Sequence, residues 1–151
     1  MKAVIQRVAY ATVTVDEKII GRTQKGFLIL LGVEKGDDNA EAMALARKIA
    51  SLRVFCDEND KMNLSLADID GGVLVISNFT LCADCRKGRR PSFDNAALPA
   101  EAMEHYEYFC ACLREQGVVS VEQGEFGADM KVELLNDGPV TLIIDSKELS
   151  K

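Results

Sequence analysis

The sequence predicts an α/β fold: a single domain over residues 1–151, with mixed β-sheets that are barrel-like and layered, and two main helices packed on one side. Three observations carry that expectation. The chain has 151 residues, the length of one ordinary domain. It is 48% hydrophobic and 28% charged, a composition that suits a packed core and is too apolar for disorder. Two unbroken apolar runs opening on glycine, residues 26–33 and 72–77, alternate with helical periodicities, and a strand that is apolar throughout has to be covered on both faces.

In chain order, Ala11-Thr12-Val13-Thr14-Val15 alternates and is β-branched, so it reads as a strand. Asp16-Glu17 turns it into the second arm of a hairpin, Lys18-Ile19-Ile20-Gly21-Arg22. After the buried strand at 26–33, Asp38 with Glu41 three residues on forms a capping-box pattern, and Met43, Ala46, Ile49 and Ala50 share one helical face. Residues 52–56 read as a short strand and Asp57-Glu58-Asn59-Asp60 as a turn. The second buried strand follows at 72–77, then an irregular polar stretch over 82–98. Pro99 opens the second helix at its favoured first position, Met103, Tyr106, Phe109, Cys110 and Leu113 form its apolar stripe, and Gly117 ends it. Strands at 118–121, 130–135 and 140–145 close the chain, and Asn136-Asp137-Gly138-Pro139-Val140-Thr141 between the last two reads locally as a hairpin turn.

Composition narrows the chemistry. With 18 basic and 24 acidic residues the net charge is −6, which counts against a general nucleic-acid coat protein. No apolar run approaches the ~18 residues of a membrane span. Charge at Lys2 and Arg7 breaks any signal-peptide core, so the expected compartment is the cytoplasm. The lone histidine, His105, lies about 200° around its helix from Met103, away from the apolar stripe, where it reads as solvated. A serine or cysteine triad would depend on that residue, and a two-histidine zinc site cannot form within one chain.

Three local patterns carry chemistry. Cys82-Ala83-Asp84-Cys85 is a Cys-x-x-Cys, readable as a redox pair, half a zinc site or incidental thiols; the charged loop after it is not the helix that the redox reading wants. Arg86-Lys87-Gly88-Arg89-Arg90 places four cations in five residues, whereas the rest of the chain has 14 basic against 24 acidic groups. That reversal fits a polyanion site, the alternative being a solvated loop. Ser77-Asn78-Phe79-Thr80-Leu81 lies where a buried strand emerges, a common place for sites in α/β folds and equally for hydroxyls bonded to backbone.

Read together and in order, the Ser77-Asn78-Phe79-Thr80-Leu81 segment, Lys87-Gly88-Arg89-Arg90-Pro91-Ser92-Phe93 and Asn136-Asp137-Gly138-Pro139-Val140-Thr141 resemble the D-aminoacyl-tRNA deacylases. Ala3-Val4-Ile5-Gln6-Arg7-Val8 and Phe126-Gly127-Ala128-Asp129-Met130 fit as well, so the resemblance runs nearly end to end. It implies a cytoplasmic homodimer that hydrolyses the ester joining a D-amino acid, or glycine mischarged on the alanine tRNA, to the terminal adenosine of tRNA. It implies no cofactor, no metal, no DNA and no membrane. Ser77, Asn78, Phe79 and Thr80 would build the catalytic pocket, with chemistry relying on backbone groups and the substrate's own 2′-hydroxyl. Gly138 and Pro139, flanked by Asn136 and Thr141, would form a Gly-cis-Pro element that reaches into the partner's pocket and rejects L-residues. Arg86, Lys87, Arg89 and Arg90 would bind tRNA.

Two positions depart from the family's pattern: Asn78 stands where glutamine is usual, and Cys82-Ala83-Asp84-Cys85 where Tyr-Ala-Asp-Thr is commoner. The second departure reads the thiols as lineage variation. Thr80 is expected to position rather than attack, since no base is visible near it. The alternative function is a non-catalytic RNA-binding module using residues 86–90.

Overall fold

The computed structural model describes residues 1–149. The chain opens with a 14-residue strand, β1 (Lys2–Val15), which returns through Asp16 and Glu17, both at positive φ, into β2 (Lys18–Thr23). β3 (Gly26–Gly32) follows, then α1 (Asn39–Ala50), the two-residue β4 (Phe55–Cys56) and its partner β5 (Met62–Leu64), and β6 (Gly72–Ser77). A 3₁₀ turn at Phe79–Cys82 leads through an irregular loop to α2 (Pro99–Glu115), and β7 (Val121–Gln123) and β8 (Lys131–Asp145) complete the fold.

The main sheet runs β2-β1-β3-β6-β7, with β8 added along β1. β1 pairs antiparallel with β2, β3 and β8, whereas β3–β6 and β6–β7 are parallel. The sheet curls until its ends approach: a Cβ on Gly21 of β2 would sit 2.7 Å from the carbonyl oxygen of Gln123 in β7. That curl is why β3, and β6 as far as Ile76, are apolar. Phe27, Ile29, Leu31, Val73 and Val75 face the helices in the larger core, and Leu28, Leu74 and Ile76 face inward with Val8, Ala11 and Val13 in a smaller one.

The helices follow their sequence signals with adjusted faces. Asp38 and Glu41 form the reciprocal capping box, but α1 buries Ala42, Leu45, Ala46 and Ile49 while Met43 is exposed. In α2, Ala102 and Cys112 replace Met103 on the buried side. A thioether is long enough for either side of a face boundary, and the small residues are the ones that let the two helices approach. Gly117 stops α2 at positive φ, with the Val118 N–H donating back to the Leu113 carbonyl. That closure delays the next strand to Val121, and the helical turn at Leu52 likewise confines β4 to Phe55–Cys56.

The largest correction concerns the end of the chain. Residues 130–135 and 140–145 are not two strands joined by a hairpin but parts of the single strand β8. Opposite β1, pairing steps from Gln6–Thr141 to Val8–Asn136, so residues 137–140 bulge out of the ladder. Proline has no N–H to give a ladder, and here side chains close the gap instead. Asn136 accepts the Val140 N–H at 2.8 Å and donates to the Thr141 hydroxyl at 2.9 Å, and Arg7 donates to the carbonyls of Asp137 (2.8 Å) and Val54 (2.6 Å). No helix of the described residues is long and apolar enough to cross a membrane.

Candidate active site

β3 and β6 run parallel in register, Leu30 beside Ile76 and Leu31 beside Ser77, so their carboxyl ends open together. The chain leaving β6 turns at once: Asn78 donates its N–H to the Leu31 carbonyl at 2.8 Å, and the 3₁₀ turn begins. A cavity of about 620 Å³ opens beside that turn. Ser77, Asn78, Phe79 and Thr80 form its polar side. Leu30, Ile76 and Val132, the α2 residues Ala102 and Tyr106, and Phe126 and Met130 form its apolar walls.

The four catalytic candidates are thus contiguous in space as in sequence, and their bonds limit what each can do. The Thr80 hydroxyl and N–H both donate to the Asn78 side-chain oxygen. An amide oxygen is not a base, so nothing here activates Thr80 as a nucleophile. The N–H groups at the start of a 3₁₀ turn have no acceptor within the turn, and the Asn78 side chain serves that of Thr80. Phe79 itself is 58% exposed.

Only two titratable side chains line the cavity among the described residues, Tyr106 and Asp129. Burial pushes the Tyr106 phenol well above its ordinary range, and it donates to the Val75 carbonyl at 2.7 Å. Asp129 is exposed and paired with Lys131 at 3.1 Å. The Tyr106 phenol, held protonated and committed to the Val75 carbonyl, is not a general base. His105 is absent from the lining and is not freely solvated: its Nδ1 lies 2.9 Å from the Asn39 side-chain oxygen, tying α2 to the start of α1.

The thiols separate. Cys82 is buried, and its Sγ donates to the Val33 carbonyl; burial first, then the Glu34 charge, pushes its pKa up, which disfavours the thiolate that redox or zinc chemistry needs. Cys85 is exposed. Among the described residues no group of three or more His, Cys, Asp or Glu side chains is placed to hold a metal ion.

The basic loop is a pinched projection. Asp84 and Ser92 exchange backbone hydrogen bonds at 2.8 and 2.9 Å, and Gly88 takes positive φ at the tip. Arg86 is forked onto Asp84, whose carboxyl that contact holds well below the usual carboxylate range. Lys87, Arg89 and Arg90 have no acidic partner among the described residues.

Asn136, Gly138, Pro139 and Thr141 are brought together by the β8 bulge, but none lines the cavity. The Gly138–Pro139 peptide is cis and both residues are exposed. Within one chain, then, the two halves of the expected site are apart. In the sequence, Tyr106 falls in an apolar stripe and Phe126 and Met130 in a segment of the resemblance, with no site role for any of them; for the last two the signal was an aromatic and a methionine flanking Gly127, which takes positive φ and folds that loop over the cavity.

The family model described as D-Tyr-tRNA(Tyr) deacylase matches residues 4–145. The chain is 54% identical over 149 residues to a D-aminoacyl-tRNA deacylase of Thermosipho melanesiensis, covering 99% of each. Among solved structures it is similar to one titled c-Myc DNA Unwinding Element Binding Protein, with TM-score 0.90 and 39% identity over 96% of this chain and 98% of that one. A structure titled as a probable eukaryotic D-amino acid tRNA deacylase shares the fold at TM-score 0.79 and 15% identity, over 95% and 97% of the two chains.

Proposed function

From the premise that the chain belongs to the D-Tyr-tRNA(Tyr) deacylase family, enzymes that hydrolyse D-aminoacyl-tRNA, we propose how its own residues do so. The terminal adenosine and its aminoacyl ester occupy the cavity beside the 77–80 turn. The Phe79 N–H donates to the ester carbonyl oxygen as charge develops there, and the Asn78 amide, through Thr80, holds that turn rigid. Water attacks the carbonyl carbon, the bond to the ribose oxygen breaks, and the proton passes to that oxygen with the neighbouring 2′-hydroxyl of the substrate assisting. Free D-amino acid and tRNA leave. The observation that supports this most directly is the composition of the cavity: polar where the turn presents backbone and amide groups, with the buried Tyr106 phenol committed to the Val75 carbonyl.

Chiral selection is assigned to the 136–141 bulge of a second copy. β8 is a 15-residue edge strand whose outer side leaves Leu135 and Ile143 exposed, an arrangement that invites pairing with another chain. A dimer through this edge carries each Gly138-Pro139 bulge toward the other copy's cavity. A backbone wall rejects every L side chain by clash, whereas an apolar pocket separates side chains by only about 1–3 kcal/mol per methylene. D-residues clear the wall, and glycine, on any tRNA including that for alanine, has no side chain to meet it. Lys87, Arg89 and Arg90, with Arg86 behind them, hold tRNA phosphates, and the work is done in the cytoplasm, where charged tRNA is used.

Purified protein is expected to release tyrosine from D-Tyr-tRNA and to leave L-Tyr-tRNA intact. Equal hydrolysis of both would remove the chirality assignment, and tRNA binding without turnover would remove the catalytic one.

A further inference from the structure

One apolar feature beside the cavity has no part in the chemistry above. The rings of Phe79 and Phe93 pack edge to face, centroids 5.0 Å apart and planes at 74°. Both are open to solvent, at 58% and 38%, and neither belongs to a core cluster. Their position is specific. Phe79 lines the cavity, while Phe93 follows Arg90 by three residues on the returning arm of the basic loop, held there by the Asp84–Ser92 backbone pair. The pair therefore spans the distance between the cavity mouth and the cations Lys87, Arg89 and Arg90.

Adjacent exposed aromatic rings have no stabilising role that burial would supply, so such a patch marks a contact surface. Aromatic faces beside free cations form the composition with which proteins hold single-stranded nucleic acid: rings take the bases, cations take the backbone. A second copy of this chain seated here would have to desolvate the cations, whereas a polyanion pairs with them. A strand whose last nucleoside is in the cavity must leave past this rim.

We propose that Phe93, braced by Phe79, stacks the base of the nucleotide immediately 5′ to the aminoacylated adenosine, while the phosphates leading away from it run along Lys87, Arg89 and Arg90. The inference rests on the reading of residues 77–80 as the site of ester hydrolysis. Phe93 is a positioning residue: it touches the substrate's neighbouring base and not the reacting ester.

The test compares Phe93→Ala and Phe93→Trp with the wild type on three substrates carrying the same D-tyrosyl ester: tRNA, a cytidylyl-adenosine dinucleotide and adenosine alone. Phe93→Ala is expected to lower kcat/KM by about tenfold or more on tRNA and on the dinucleotide, chiefly through KM. Phe93→Trp is expected to keep wild-type rates. On aminoacyl-adenosine, which has no 5′ nucleotide, all three proteins should be equal. An equal loss on all three substrates would overturn the proposal by making Phe93 a support for the catalytic turn. Unchanged rates on the dinucleotide, with or without a loss of subunit association in sedimentation, would overturn it as well. Failure of the wild type on every substrate would instead overturn the reading of the 77–80 site itself, and this proposal with it.

Discussion

Thr80 commits both its hydroxyl and its N–H to the side chain of Asn78, and this decides its role. A positioning threonine loses one hydrogen bond when truncated, its backbone N–H bond surviving, so Thr80→Ala should lower kcat by about two- to tenfold, the worth of roughly 0.5–1.5 kcal/mol for that bond, and Thr80→Ser should restore it. A nucleophile would instead lose almost all activity; single-turnover rates on D-Tyr-tRNA distinguish the two. Gly138 is constrained in another way. It has φ +146°, and an added Cβ would lie 2.8 Å from the Val140 nitrogen and 3.1 Å from an Arg7 guanidinium nitrogen. Gly138→Ala should therefore displace the bulge, lowering the ratio of D- to L-Tyr-tRNA hydrolysis and costing about 1–3 kcal/mol of unfolding free energy through the strained backbone. The polar residues of the 77–80 turn and the cations of the loop were legible in the sequence because short polar motifs keep their meaning wherever the fold puts them. The fork of Arg86 onto Asp84 was not, since it depends on how the loop closes through Ser92.

At the scale of elements, β1, the loop after β3 and the turn after β8 are joined through Glu34, which pairs with Lys2 at 3.1 Å and Lys147 at 2.9 Å. Burial alone would raise the Glu34 pKa, but the hydrogen bonds from the two lysines outweigh it and hold the carboxyl below its ordinary 4.5. The same contacts raise both lysines above 10.5. The stabilisation is therefore complete at pH above the ordinary carboxylate value and below the ordinary lysine value. It is lost as pH falls through the depressed Glu34 pKa and as it rises through the elevated lysine ones. Glu34→Gln should lower the urea midpoint at pH 7 and flatten the acid limb below about pH 4.5; an unchanged acid limb would count against the pairing. Elements with strong local signals, such as the capped α1 and the glycine-bounded β3, stood out in the sequence. β8 did not, because Gly138-Pro139 is locally a turn and only the ladder with β1, closed by Asn136 and Arg7, carries the strand through it. Faces drawn through Met43 and Met103 likewise gave way to the packing of α1 against α2.

The whole molecule is an acidic body with one basic projection, and its cavity and its Gly138-Pro139 bulge lie apart within the single chain. Replacing Lys87, Arg89 and Arg90 together by alanine should weaken tRNA binding and reduce the slope of log affinity against log salt by about 2, since each phosphate contact contributes roughly 0.7–0.9. A slope unchanged from wild type would place the phosphates elsewhere. The central claim, that each cavity is completed by the Gly138-Pro139 bulge of another copy, is tested most directly by mixing two damaged subunits. One carries Gly138→Val with an intact 77–80 turn; the other carries Asn78→Ala and Thr80→Ala with an intact bulge. Co-expressed under separate affinity tags and isolated as the mixed species, the pair should contain one complete site and recover about half the wild-type D-Tyr-tRNA hydrolysis with full rejection of L-Tyr-tRNA, following the two-fold exchange of equivalent surfaces in a symmetric dimer. A mixed species no more active or selective than the two separate variants would show that the bulge and the turn act within one chain, or not together at all.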